Sequence, residues 1–311
     1  MTREKINLPS TDAFVSVLLL DGGSFVGDWS LMHVGQTGKF RLYNWAFHIT
    51  HKEKHILWDL GLDDNWDCYT PWITKHMLQF VNHVGPRRTV VQQLSERGVS
   101  ATDIDSVIFS HAHWDHCRPI SDVFPNAKAR FGPGTKSACQ PGHWKDPNSQ
   151  WDGRFFDPEH ATETLEELQG DWKQFGPFER ALDYFRDGSF WILDAPGHMP
   201  GNLAAAARLQ NGEWVVLGSD CCHSRELLDG VREIAEFTSP ELKPMSLHTD
   251  VTSARDTIAK LRTLETDYGA HVALAHDATW LKKGTDKVLM SLLDARMKVA
   301  AKEKIVHDEI P

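Results

Sequence analysis

A chain of 311 residues, 41% hydrophobic and 24% charged, can bury a sizeable core and is too apolar to remain disordered. Its formal net charge of −10 argues against a protein built to neutralise phosphates, so nucleic acid is not an expected partner. Five cysteines, an odd number with Cys221 and Cys222 adjacent and no CxxC pair, argue against a disulfide framework or a structural zinc module.

The first segment, MTREKINLPS, is polar, and the apolar run at 14–20 is too short to span a membrane. That run reads as a strand turning at Asp21-Gly22-Gly23, and the expected setting is soluble, reducing and cytoplasmic. A second strand at 55–58 ends in Asp59-Leu60-Gly61, and a third at 107–109 leads into Ser110-His111. Later runs at 190–193, 214–217 and 272–275 end in Asp194-Ala195-Pro196-Gly197-His198, Gly218-Ser219-Asp220 and His276-Asp277. Four of these six strands thus hand a histidine or aspartate directly to the following loop, where rigid sheets present chemistry.

Helical periodicity falls between the strands. Val90, Val91 and Leu94 predict a short helix stopped by Gly98. Ala254, Ile258, Leu261 and Leu264 share one face of a longer one, with Ser253 and Asp256 as its expected capping start and Gly269 its stop. Val288, Leu289, Leu292, Leu293 and Met297 predict another near the C-terminus. The stretches 63–88 and 132–188 are rich in Gly, Pro, Asp and Trp, with a helix expected only around 162–168. Their tryptophans argue against disorder, so both are expected as lid-like insertions on a single domain spanning 1–311.

The densest chemistry is Ser110-His111-Ala112-His113-Trp114-Asp115-His116. An extended His-x-His aims both imidazoles to one side, and an Asp-His at the following turn can reach a second point nearby. Two close cations share oxygen ligands, which is why carboxylates accompany the imidazoles.

With the later Gly197-His198, Asp220 and His276, in that order, the chain resembles the metallo-β-lactamase superfamily over roughly residues 14–280. The resemblance implies a four-layer αββα sandwich with metals at one edge of its two sheets. Carried onto this chain, His111, His113 and His198 would hold one cation and Asp115, His116 and His276 the other, with Asp220 bridging. His271 precedes its strand, at the wrong end. Asp59 and Asp277 are candidates for fixing an imidazole's tautomer, or equally for capping turns.

The order of motifs is most similar to the lactonase-like branch, which includes quorum-quenching acyl-homoserine lactonases. That branch carries a tyrosine three residues after the bridging aspartate, where this chain has His223. The implied activity is opening of a small cyclic ester or amide by a hydroxide bridging two divalent cations. Zinc is the first expectation, with manganese and iron as alternatives. His223 would donate to the oxyanion and Asp115 would protonate the leaving group. Trp114, His143, Trp144 and Trp151 are candidates for walls around an uncharged cyclic substrate. Thioesterases of the glyoxalase II kind and phosphodiesterases share the implied fold and stand as alternatives.

Overall fold

The computed structural model describes residues 6–238 and 244–308. Strands β1 (Ser16–Asp28), β2 (Lys39–His51), β3 (Lys54–Trp58), β4 (Ile104–Ile108), β5 (Lys128–Phe131) and β6 (Leu165–Glu167) form one sheet in that order. A second sheet contains β7 (Trp172–Phe175), β8 (Phe178–Asp183), β9 (Phe190–Asp194), β10 (Leu203–Arg208) and β11 (Trp214–Ser219). After a two-strand ribbon of β12 (Phe237–Thr238) and β13 (Pro244–Met245), β14 (His271–Leu274) completes it beside β11. The β3–β4 and β11–β14 pairs are parallel.

Alternation along the strands sorts side chains into layers. Trp45, Phe47, Ile49 and Trp58 of the first sheet face Ile192, Leu203, Ala205 and Leu217 of the second, making the central core. The other face of the second sheet, with Leu193, Ala204 and Val216, packs on Ala254, Ile258 and Leu261 of the helix Val251–Thr266. The outer face of the first sheet, with Ala46, Leu57 and Val107, meets Val90 and Leu94 of the helix Val90–Ser95. Helices therefore cover both outer faces, giving the αββα order. Among the described residues no helix is long and apolar enough to cross a membrane.

Three local expectations are corrected. The helix Val251–Thr266 is capped by Asp250, whose carboxylate accepts from the Ser253 N–H, so Ser253 and Asp256 lie inside it. The apolar series from Val288 to Met297 is broken into Lys287–Met290 and Ala295–Asp308, because the Leu292 carbonyl accepts from the Leu19 N–H instead of closing a helical turn. Residues 162–168 hold no helix: Leu165–Glu167 is the edge strand β6, paired parallel to β5. The stretch 132–188 thus also supplies β7 and β8 to the second sheet.

His48 lies on the outer face of β2, buried, with Nε2 3.0 Å from His55 Nδ1. Burial pulls its pKa down to about 4 from the ordinary 6.5, with repulsion from His55 and Arg97 adding to it. The unfolded chain therefore takes up a proton here first, so the stabilisation is complete above the unfolded value and is lost as the pH falls towards the folded one. The loss is roughly 3 kcal/mol. His48→Gln is expected to flatten the fall of unfolding free energy over that acid range. An unchanged slope in urea titrations at several pH values would contradict this.

Candidate metal centre and active site

The C-terminal ends of β3, β4, β9, β11 and β14 open on the same edge of the sandwich, and each hands over one part of the motif series. After β4 the chain makes a single turn, in which the N–H groups of His116 and Cys117 both reach the His113 carbonyl at 3.0 and 2.9 Å. That turn brings Asp115 and His116 round beside His111. Ahead of His198, Gly197 has φ +128, and a Cβ there would lie 2.3 Å from the Ala254 nitrogen. Only glycine lets the helix Val251–Thr266 approach so closely. Ser219, at φ +43, turns Asp220 inward, and its hydroxyl accepts from Trp58 Nε1 across the sandwich.

Among the described residues three donor groups result, with ligand atoms inside each within 4.8 Å of one another: His111, His113 and His198; Asp115, His116, Asp220 and His276; and His198, His223 and His248, which shares His198 with the first. The first two take up all seven residues of the motif series. His198 Nε2 is 2.9 Å from His113 Nδ1. Asp220 lies between these two groups: its Oδ1 is 3.0 Å from His276 Nε2 and 3.3 Å from His116 Nε2. Its Oδ2 is 3.6 Å from His198 and 3.7 Å from His111.

The far side of three rings is fixed by acceptors. His276 Nδ1 donates to the Tyr43 carbonyl at 2.6 Å, and His116 Nδ1 donates to Asp59 Oδ2 at 3.0 Å. Asp59 also accepts from the Ser110 hydroxyl, whose oxygen accepts in turn from His111 Nδ1 at 3.0 Å. Each of these rings, when neutral, must then turn the lone pair of Nε2 towards Asp220. His111 Nε2 is buried with no hydrogen-bond partner, so its lone pair faces the gap alone. Buried acceptors aimed at one another and at two carboxylates fit cations and little else.

Electrostatics agree. Burial pushes His111 and His198 well below the ordinary imidazole range and His113 down to about 4, leaving the neutral, ligating form. Burial would do the same to His116 and His276, but Asp220 and Asp115 raise both. Burial works against ionisation of Asp220 and Asp115 as well, yet His276 and His116 hold both carboxyls below their usual range. Carboxylates that stabilise the protonated form of two buried imidazoles would hold a metal cation in place of those protons.

The remaining sequence candidates are dispersed. Trp151 stacks on His113 at 5.7 Å, and Trp114 packs between Phe25 and Tyr69. His143 accepts from the Gly153 N–H and packs on Trp144, which is 45% exposed, so both rings serve their own loop. Asp277 caps a turn, accepting from the Thr279 N–H and hydroxyl, and it is the Tyr43 carbonyl that orients His276. His271 sits at the far end of β14, 2.7 Å from Asp286. His223 lies 3.4 Å from Asp220 Oδ2. Cys221 is buried beside it and accepts from Asn202 Nδ2.

Several neighbours escape a motif search. Asn44 donates to Asp115 Oδ2 at 3.1 Å from the middle of β2. Phe25 lies edge-on to His276 at 5.7 Å. His248 packs on His198 and His223, buried and with neither ring nitrogen hydrogen-bonded. Nothing in Ser246-Leu247-His248-Thr249 marks it in the sequence.

The profile of the metallo-beta-lactamase superfamily matches residues 41–173. Gamma-lactamase MBL2 of Gibberella moniliformis is 30% identical over 177 residues, covering 54% of this chain and 70% of that protein. Cytochrome P450 monooxygenase mpaDE' of Penicillium brevicompactum is 29% identical over 298 residues, 88% of this chain. The chain spans about a third of that relative's length, 35%. A solved N-acyl homoserine lactone hydrolase, with the product N-hexanoyl-L-homoserine at its catalytic metal center, superimposes with a TM-score of 0.64. It is 16% identical and covers 87% of this chain and 96% of its own, which shows the shared fold. Profile, relatives and fold agree that the chain belongs to the metallo-β-lactamase superfamily, in its lactonase- and lactamase-like branch.

Proposed function

We propose that this protein is a hydrolase that uses two divalent cations to open a small cyclic ester or amide. The observation that carries the reading is the pair of donor groups with the Asp220 carboxylate between them, and imidazole lone pairs turned into one gap by Tyr43, Asp59 and Ser110. His111, His113 and His198 would hold one cation, Asp115, His116 and His276 the other, and Asp220 both. Bound there, divalent cations supply a water ionised near neutral pH and polarise an acyl oxygen, with zinc the first candidate from imidazole and carboxylate donors.

The chain's own groups do the rest. Asp115, held by Asn44 within the second donor group, is placed to take a proton from the attacking water and pass it to the leaving oxygen or nitrogen. His223 reaches the same gap from the other side and offers a hydrogen bond to an acyl oxygen as charge develops on it. Tyr69 and Trp151 bring one aromatic ring from each of the stretches 63–88 and 132–188 to the site's rim. The two stretches are tied by Arg154 Nη2 donating to the Cys68 carbonyl and Thr70 Oγ1 to the Gln150 carbonyl, so they would act together as a lid.

Rates for a homoserine lactone, a benzo-fused lactam and bis-nitrophenyl phosphate test the reading on one metal-loaded sample. At least one cyclic substrate is expected to turn over roughly 100-fold faster than the phosphodiester. Faster phosphodiester cleavage than both would move the protein to a nuclease reading.

A further inference from the structure

The rings of His198, His223 and His248 meet edge to face, with centroids 5.0, 5.3 and 4.9 Å apart. None is more than 5% exposed, and one ring nitrogen of each lies within 4.8 Å of one on each of the others. Neither nitrogen of His248 has a hydrogen-bond partner. A neutral imidazole carries one N–H and one lone pair, and leaving both unanswered in the interior is costly unless an ion completes the ring. Packing alone would be served as well by phenylalanine. The loop that carries His248 is also fixed: the Thr249 N–H donates to the His198 carbonyl and the Asp250 N–H to the Gly197 carbonyl, both at 2.9 Å. Asp250 caps the helix Val251–Thr266, so His248 cannot leave His198 without disturbing that helix. Asp220 Oδ2, 3.6 Å from His198 Nε2 and 3.4 Å from His223 Nε2, borders this group as well. His223 further lines a cavity of about 250 Å³, together with Arg41 and His276, which gives an ion a path to the group.

We propose that His198, His223 and His248 form an alternative seat for the first cation, beside the one made by His111, His113 and His198. A neutral imidazole offers a single lone pair, so His198 serves one seat at a time and the two exclude each other. An ion moving between them keeps His198 and Asp220 and exchanges His111 and His113 for His223 and His248. Metal–nitrogen bonds of about 2.1 Å put two nitrogens of one tetrahedral ion roughly 3.4 Å apart, a spacing that rings already within 4.8 Å reach by small rotations. Imidazole donors suit zinc, copper or nickel. The seat rests on the two-cation reading above and adds a ligand, His248, that the motif series does not contain.

The test uses the full-length chain and zinc alone, with the affinity of the weaker of two zinc equivalents read by competition against a coloured chelator. Phenylalanine at 248 keeps the ring packing and removes both nitrogens. In the natural background His248→Phe is expected to change that affinity by less than about twofold, because the first seat is intact. In the His113→Ala background, where the first seat has lost a ligand, adding His248→Phe is expected to weaken it at least about tenfold. His113 is only half-buried, and His113→Ser takes the place of the alanine variant if that one does not fold. An equal effect of His248→Phe in both backgrounds, or no effect in either, overturns the proposal. A natural chain that binds two ions without this coupling contradicts the alternative seat alone. One that binds none contradicts the two-cation reading as well.

Discussion

Asp220→Ala is expected to cut lactone or lactam turnover by at least about 1,000-fold, whereas His223→Ala should cost at most about 100-fold, the worth of one oxyanion contact. The asymmetry follows from what each side chain touches. The Asp220 carboxylate lies within 3.7 Å of the Nε2 atoms of His111, His116, His198, His223 and His276. Removing it leaves buried imidazoles with no shared counter-charge and takes away the one group that spans both donor sets. His223 contacts the carboxylate from outside those sets and leaves the other donors in place when cut back. Metal content of the folded Asp220→Ala chain is expected to fall alongside turnover. Near-natural turnover at saturating metal would remove Asp220 from the centre of the account.

Gly61→Ala is expected to cost about 3 kcal/mol or more of stability. Gly61 has φ +68, and a Cβ there would lie 2.4 Å from both the Cα and the carbonyl oxygen of Gly22. Both neighbours are backbone, so no side chain can swing aside. The strand end is also pinned on both sides: the Leu60 N–H donates to the His116 carbonyl at 3.0 Å and the Leu62 N–H to the Gly22 carbonyl at 2.6 Å. Pushing Gly61 outward drags Asp59 with it, and Asp59 holds His116 directly and His111 through Ser110. Urea unfolding should show a markedly lower midpoint, with turnover falling in the part that stays folded. A midpoint equal to that of the natural chain would mean that the close approach of Gly22 and Gly61 is not needed.

The Asp-x-Gly at 59–61 shows why some of this molecule could be read from its sequence. The six strands expected from apolar runs all exist; five of them end where the chain must deliver a polar group to the sandwich edge, whereas β1 runs on through the turn expected at Asp21-Gly22-Gly23 to Asp28, with only a shift of register between Asp21 and Ser24. The donor residues are local words, His-x-His-x-Asp-His above all, and their chemistry survives without the fold. β2 was not legible: Arg41, Asn44 and His48 interrupt its alternation, and each has a separate reason to be there. Arg41 lines the cavity, Asn44 holds Asp115, and His48 meets His55. β10 reads Leu-Ala-Ala-Ala-Ala-Arg, which by propensity favours helix. It is a strand because neighbours on both sides and layers above and below leave room only for small side chains. The edge strand β6 has three half-buried residues and almost no pattern to find. His248 and Phe25 come to the site from segments with no motif, so only three-dimensional packing reveals them.

The most direct test of the central claim is metal stoichiometry measured with turnover on one preparation. Elemental analysis of the purified full-length chain should find close to two divalent ions per molecule, since six terminal donors and one bridge exceed what a single ion needs. Chelation should remove both the metal and the hydrolysis of a cyclic ester or amide, and zinc or manganese should restore them. A chain that holds no transition metal as purified, gains none on dialysis against zinc or manganese, and hydrolyses nothing afterwards would contradict the account.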